Sequence, residues 1–127
     1  MAETPVQEQV TVHDSILLSV KKWCGLPDDY TPFDEDVISC INSELNILNQ
    51  VGVGVVGFQV SDSTSKWIDF LGSDETKFGI AKQYVKIKTR LIFDPPANSF
   101  VQTALEKQAE ELIWRSNVQA EGSFDET

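Results

Sequence analysis

The sequence predicts a mainly α-helical protein, a small helical bundle of four to five helices with one short extended or hairpin loop segment. Three observations predict it. Apolar residues recur at three- and four-residue spacing in successive stretches, as one face of a helix requires. Glycine or proline closes those stretches. Apolar alternation of the kind a half-buried strand needs is confined to Val10 and Val12 and to the residues around Val55. A chain of 127 residues is about one domain long, and 41% hydrophobic with 24% charged residues is an ordinary globular composition.

Residues 1–12 are polar apart from those alternating valines and are expected to form a flexible arm. The helical domain is expected over residues 13–118, followed by a mobile acidic tail over 119–127. From Asp14, the residues Ile16, Val20, Trp23 and Cys24 share one helical face, and Gly25 followed by Pro27 ends that first helix. In "TPFD", Thr31 is read as the N-cap of a second helix and Pro32 as its first residue, with Asp34, Glu35 and Asp36 favoured at the positive end of the helix dipole. Val37, Ile38, Ile41, Leu45 and Leu48 form its apolar stripe, and this helix is expected to be the most central element. Gly52 stops it. Val55, Val56, Phe58 and Val60 suggest the short extended or hairpin segment.

A helical turn carrying Trp67, Ile68, Phe70 and Leu71 comes next, stopped by Gly72. A further helix is predicted from Asp74 and Glu75 to Phe93 on the stripe Ile80, Ala81, Tyr84, Ile87 and Leu91. Pro95 and Pro96 end it, since each lacks a donor and biases the preceding residue away from α. Ser99 is read as the cap of the last helix with Gln102 reaching back, and the helix runs to about Asn117 on Val101, Ala104, Leu105 and Leu112, more weakly on Ala109.

Several chemistries are excluded. Gly52, Gly54 and Gly57 have the spacing G-x-G-x-x-G, but a dinucleotide fingerprint needs a strand before it and a helix after it, and here a helix comes first. No cofactor is expected. Consecutive His13, Asp14 and Ser15 cannot converge into a catalytic relay, and the pairs Asp28/Asp29 and Glu110/Glu111 read as solvated carboxylates. One histidine with Cys24 and Cys40 falls short of a four-ligand zinc site, so no metal is expected and the cysteines read as small buried thiols of a reducing compartment. The N-terminal residues lack a secretory leader, and no apolar run approaches bilayer length, so a non-membrane protein of the cell interior is expected. A formal net charge of -10 disfavours general nucleic-acid affinity.

Binding surfaces remain. Lys82, Lys86 and Arg90 form a basic ridge at i, i+4, i+8, read either as a solvated face or as an interface to an acidic neighbour. On the final helix Phe100, Lys107, Glu111 and Trp114 project together away from the apolar stripe, which marks Trp114 as a candidate anchor. Trp67 and Phe70 crowd a short element that something must cover, either the chain's own core or a neighbouring subunit, and they join the candidate interface set.

The order of "VKKWCGLP", "INSELNILNQVGVG", "FQVSDSTSKWIDFLG" and "YVKIKTRLIFDPPANSFVQTALEKQAEELIWRSNVQ" resembles the head-tail connector family of long-tailed double-stranded-DNA bacteriophages, also called adaptor or head-completion proteins. The resemblance covers roughly residues 14–119, and its most specific part is "LIFDPPANSF" followed by "EELIWR". It implies a non-enzymatic helical subunit of the virion that forms a dodecameric ring between portal and tail, extends the channel for passing DNA and meets a tail-side stopper or tail-completion protein. Assembly would take place in the host cytoplasm. Carried over from related connectors, the loop around Gly54, Val55, Val56 and Gly57 would be channel-side, and Gln119, Glu121 and Phe124 of the tail would contact portal or tail. Because "GVGVVG" is more apolar than an exposed loop should be, a cover is expected over it. A rival reading from the basic ridge alone is a small helical regulator that binds nucleic acid.

Overall fold

The computed structural model describes residues 15–72 and 79–125, with side chains described as far as residue 118. The expectations for residues 1–12, for His13 and Asp14, and for a helix start at Asp74 and Glu75 lie outside these residues. Among the described residues five helices occur in order: α1 (Ile16–Trp23), α2 (Asp34–Gln50), α3 (Trp67–Leu71), α4 (Gly79–Phe93) and α5 (Ser99–Asp125). The bundle expected from the apolar stripes is present.

Local chemistry sets the helix ends. Ser15 caps α1, its Oγ accepting the Leu18 N–H at 3.1 Å. The Gly25 N–H donates to Lys22 O and the Leu26 N–H to Lys21 O, which closes the helix with the paired bonds of a glycine C-terminus. At the end of α2 the same pattern recurs: Gly52 N–H donates to Asn49 O at 3.0 Å and Val53 N–H to Leu48 O at 2.9 Å. Gly52 takes the positive φ of 92° that this motif needs. Leu48 and Val53, bonded through their backbones, are both fully buried, so the glycine turns the chain back onto the core.

Two predicted caps shift. α2 begins at Asp34 rather than beside Pro32, because residues 32 and 33 form a turn in which the Asp34 N–H donates to Thr31 O at 3.0 Å. Asn98, not Ser99, caps α5: its Oδ1 accepts the Phe100 N–H at 2.7 Å, while the Gln102 side chain reaches back to Pro96 O at 2.6 Å. The longer asparagine side chain reaches the free amides from one residue earlier.

The expected extended or hairpin segment is a correction. Among the described residues there is no strand, only an isolated bridge between Ser15 and Lys66. Instead, side chains of α2 stitch residues 53–60 to the bundle. Asn42 Nδ2 donates to Val60 O at 3.0 Å while its Oδ1 accepts the Val60 N–H at 2.8 Å, so one amide stands in for a neighbouring strand. Asn49 Nδ2 donates to Val53 O at 2.8 Å and Val55 O at 3.2 Å, and the Val55 N–H reaches Phe70 O at 2.9 Å. With its polar groups held this way, the segment needs no ladder.

α4, rather than α2, is the hub, packing against α1, α2 and α5. Its buried residues are Ala81, Tyr84, Val85, Ile87 and Thr89, and Ile80 and Leu91 of the predicted stripe are half-buried. The short connection after Phe93 folds α5 back along α4. On α5 the buried side is carried by Ala109 and Ser116, with Leu105, Leu112 and Ile113 half-buried, whereas Val101 and Ala104 of the predicted stripe are exposed. The helix also runs past Asn117 to Asp125, so the backbone of the expected tail is a continuation of α5. At 1.5 Å per residue, its 27 residues extend about 40 Å, against about 22 Å for the 15 residues of α4.

Candidate interaction surfaces

The site residues named from the sequence separate into three groups. Trp67 and Phe70 are enclosed by the chain itself, 1% and 0% exposed. The Trp67 indole Nε1 donates to Ser19 Oγ at 2.9 Å, joining α3 to α1, and Phe70 packs against Phe58 with ring centroids 5.4 Å apart. This corrects their placement in the interface set. α3 is short, but α1 and the 53–60 loop cover it, and neither residue offers surface to a neighbour in this conformation.

The basic ridge is less open than its spacing suggests. Lys82 Nζ lies 5.8 Å from the Trp67 ring centroid and Lys86 Nζ 5.7 Å from that of Trp23, distances at which a cation is attracted to the ring face. Arg90 Nε stands 3.7 Å from Asp94 Oδ2. All three residues are half-buried. With the Lys82 and Lys86 ammonium groups held over the tryptophan rings, these two residues of the ridge belong to the packing of α4 on α3 and α1 as much as to the surface.

The third group is the outward side of α5, where Phe100 is 85% and Trp114 63% exposed and Lys107 and Glu111 are also exposed. Glu111 accepts from Arg115 one turn on, at 2.8–2.9 Å. Exposed aromatics of this size lose apolar contact with water only when a partner covers them. Gln119, Glu121 and Phe124 lie on the helical backbone of the same element, their side chains outside the described residues.

In the glycine-rich loop, Gly54 has φ 84° and lies directly against the Phe70 ring, while Gly57 is exposed. Val55 is exposed and Val56 is 86% exposed, so the described residues do not supply the expected cover over this apolar loop. A groove of about 690 Å³ runs between this loop and the polar side of α2, lined by Ser39, Asn42, Asn46 and Asn49 among others. Glu35 is the one ionisable residue on its described walls, which provides no acid and base pair.

Two titratable residues that sequence reading passed over, Glu44 and Lys21, lie inside the bundle. The Glu44 side chain of α2 is 3% exposed and accepts the Thr89 hydroxyl hydrogen of α4 at 2.7 Å. Burial pushes its carboxyl up to about 7, against the downward pull of the Thr89 hydrogen bond and the Lys88 charge. Burial, reinforced by Asp94 and Glu44, pushes the Cys24 thiol up to about 11, and burial with the charges of Glu44 and Asp36 raises Cys40 as well. Neither thiol has the lowered pKa of a nucleophile. Lys21, 1% exposed, places Nζ 2.9 Å from Asp34 Oδ1 and donates to Asp28 O at 3.1 Å. Its place one helical turn after the apolar Leu17, which is also buried, was the signal available.

No helix among the described residues is long and apolar enough to cross a membrane. No curated protein and no solved structure matches the chain. The family model described as phage connector protein matches residues 16–123, from the first residue of α1 almost to the end of α5. This helical bundle, matched over that span and carrying exposed Phe100 and Trp114 on its long final helix, belongs to the phage connector protein family.

Proposed function

We propose that the chain is a non-enzymatic adaptor subunit that assembles as a dodecameric ring between portal and tail and continues the DNA channel. Membership of the phage connector family makes it a structural phage protein located in the virion. The ring, its stoichiometry and its channel are our reading, and the observation that carries it is the outward face of α5, on which Phe100 and Trp114 are exposed. Closed rings need one patch to meet a different patch on the next copy. Phe100, Lys107, Glu111 and Trp114 supply one such patch, and the exposed edges of Lys82, Lys86 and Arg90 can meet an acidic neighbour in a chain of net charge -10. Val55 and Val56, with Gly54 and Gly57, form the channel-side loop, and the end of α5 at Gln119, Glu121 and Phe124 contacts the portal or the tail-side stopper. The same negative charge keeps passing DNA from adhering.

The test is assembly. Electron microscopy of particles made without this protein is expected to show filled heads with no tails joined, and purified chain added to portal is expected to form a ring on it. Normal necks in its absence would overturn the reading. The nucleic-acid regulator is disfavoured, because Lys82, Lys86 and Arg90 are each engaged by an aromatic ring or a carboxylate of the same chain. It requires a salt-sensitive gel shift that charge reversal of those residues abolishes.

A further inference from the structure

The outward face of α5 carries a pattern more specific than a pair of exposed aromatics. Phe100, Ala104, Lys107, Glu111, Trp114 and Val118 follow one another at spacings of four and three residues, and all six are exposed. At about 100° per residue they fall within about 80° of arc, on the side opposite Leu105, Ala109, Leu112 and Ser116, which face the bundle. Four-and-three spacing is that of a two-stranded coiled-coil seam, here with apolar ends and a charged middle, along about 27 Å of helix. Apart from the Glu111–Arg115 ion pair within α5, it is left open among the described residues.

The order of residues along the seam selects the partner and its direction. Laid antiparallel on a second copy, with the two-fold axis at residue 109, the seam pairs Phe100 with Val118, Ala104 with Trp114 and Lys107 with Glu111, and each pair occurs twice. The largest side chain meets the smallest, and the cation meets the anion. Laid parallel, the same seam would stack Trp114 on Trp114, Lys107 on Lys107 and Glu111 on Glu111, which crowds the indoles and opposes like charges. We propose that the free protein forms an antiparallel two-fold pair through this face of α5, a second copy of the chain being its occupant. The pair is isologous and closes on itself. It rests on the reading of this face as a contact surface, and because it occupies residues assigned to the ring, it holds the subunit apart from its neighbours until the pair separates on assembly.

The test is the mass of the full chain in solution, by sedimentation over about 1 to 200 μM at about 0.15 M salt, where charge repulsion is screened beyond about 8 Å. The expected mass rises with concentration from one chain to two and no further. Lys107→Glu, which sets Glu against Glu at two places, is expected to weaken association by about tenfold or more, and so is Glu111→Lys. The double variant Lys107→Glu with Glu111→Lys restores both pairs and is expected to restore the association, circular dichroism confirming that each variant stays helical. One chain at every concentration, a mass above two chains, single variants that associate like the parent, or a helical double variant that fails to recover would each overturn the pair. A chain that is monomeric in solution yet builds a ring on the portal would overturn the pair alone and leave the adaptor reading standing.

Discussion

The Glu44 carboxyl on α2 and the Thr89 hydroxyl on α4 meet at 2.7 Å inside the bundle, 45 residues apart in the chain. Burial raises this carboxyl from 4.5 to about 7, so the native state holds its proton more tightly than the unfolded chain does. Its stabilising contribution is therefore complete below about pH 4.5 and lost as pH rises through about 7, a swing of roughly 3 kcal/mol at most. Glu44→Gln is neutral throughout and keeps an oxygen to accept the Thr89 hydrogen. Urea denaturation is expected to find the variant near the parent at about pH 5 and more stable than it at about pH 8. A difference between the two that is independent of pH would sink the assignment, since the other carboxylates cancel in the comparison.

Lys21 and Asp34 join the end of α1 to the start of α2, and their exposures are unequal: the lysine is buried and the aspartate is partly open to water. The two truncations should therefore differ. Lys21→Met keeps most of the buried stem and leaves Asp34 at a helix N-terminus, where a negative charge is favoured, so a loss of about 1 to 2 kcal/mol is expected. Asp34→Ala leaves a buried ammonium with only the Asp28 carbonyl in reach and is expected to cost more, about 3 kcal/mol. Chemical denaturation orders them, and the reverse order would show that Asp34 is not what holds Lys21 inside.

How far the sequence was legible depends on how far apart the interacting residues are. The helices, the glycine stop at Gly52 and the extent of α3 depend on neighbours within a turn or two, and periodicity found them. The polar partners of residues 53–60 come from Asn42 and Asn49, and the partners of Trp67 come from Ser19 of α1 and Lys82 of α4. Local alternation cannot report such partners, so the loop read as an extended or hairpin segment and the ridge as a solvated face or an interface to an acidic neighbour. α5 misled in another way: it has apolar residues on both sides, Leu105, Ala109 and Leu112 on one and Phe100, Ala104 and Trp114 on the other. A stripe shared between two sides does not say which side meets the bundle, and Val101 and Ala104 were placed on the wrong one. Phe100, Lys107, Glu111 and Trp114 do lie exposed on one side of α5, since that placement depends on helical spacing alone.

Gly54 offers a sharper test of the loop than deletion would. With φ 84° and the Phe70 ring directly against its α-carbon, a methyl group there meets both an unfavourable backbone region and a fully buried aromatic. Gly57 has nearly the same φ, 80°, but open space around it. Gly57→Ala is thus expected to lose about 1 to 2 kcal/mol from backbone strain, and Gly54→Ala to lose at least about 1 to 3 kcal/mol more from displacing the ring. Thermal unfolding of the two variants measures the difference. Equal losses would mean that Phe70 moves aside freely and the loop is not clamped to α3.

The tryptophans separate fold from assembly. Trp67→Ala removes a fully buried ring, its hydrogen bond to Ser19 and the surface on which Lys82 rests, so a loss of about 3 to 5 kcal/mol is expected. Leu112, only half-buried between α5 and the bundle, is expected to cost about 1 to 2 kcal/mol as alanine, below the range for a fully enclosed leucine. Trp114→Ala is expected to change the stability of the dilute single chain by no more than about 0.5 kcal/mol, because water already surrounds most of the indole. The same variant should join poorly to copies of itself and to the portal, since a large uncovered aromatic contributes most when a partner finally encloses it. Stability measured at low concentration and assembly measured by microscopy therefore move independently for Trp114 and together for Trp67. If Trp114→Ala assembled as readily as the parent, the outward face of α5 would lose its claim to be the contact surface, whatever the fate of the other two substitutions.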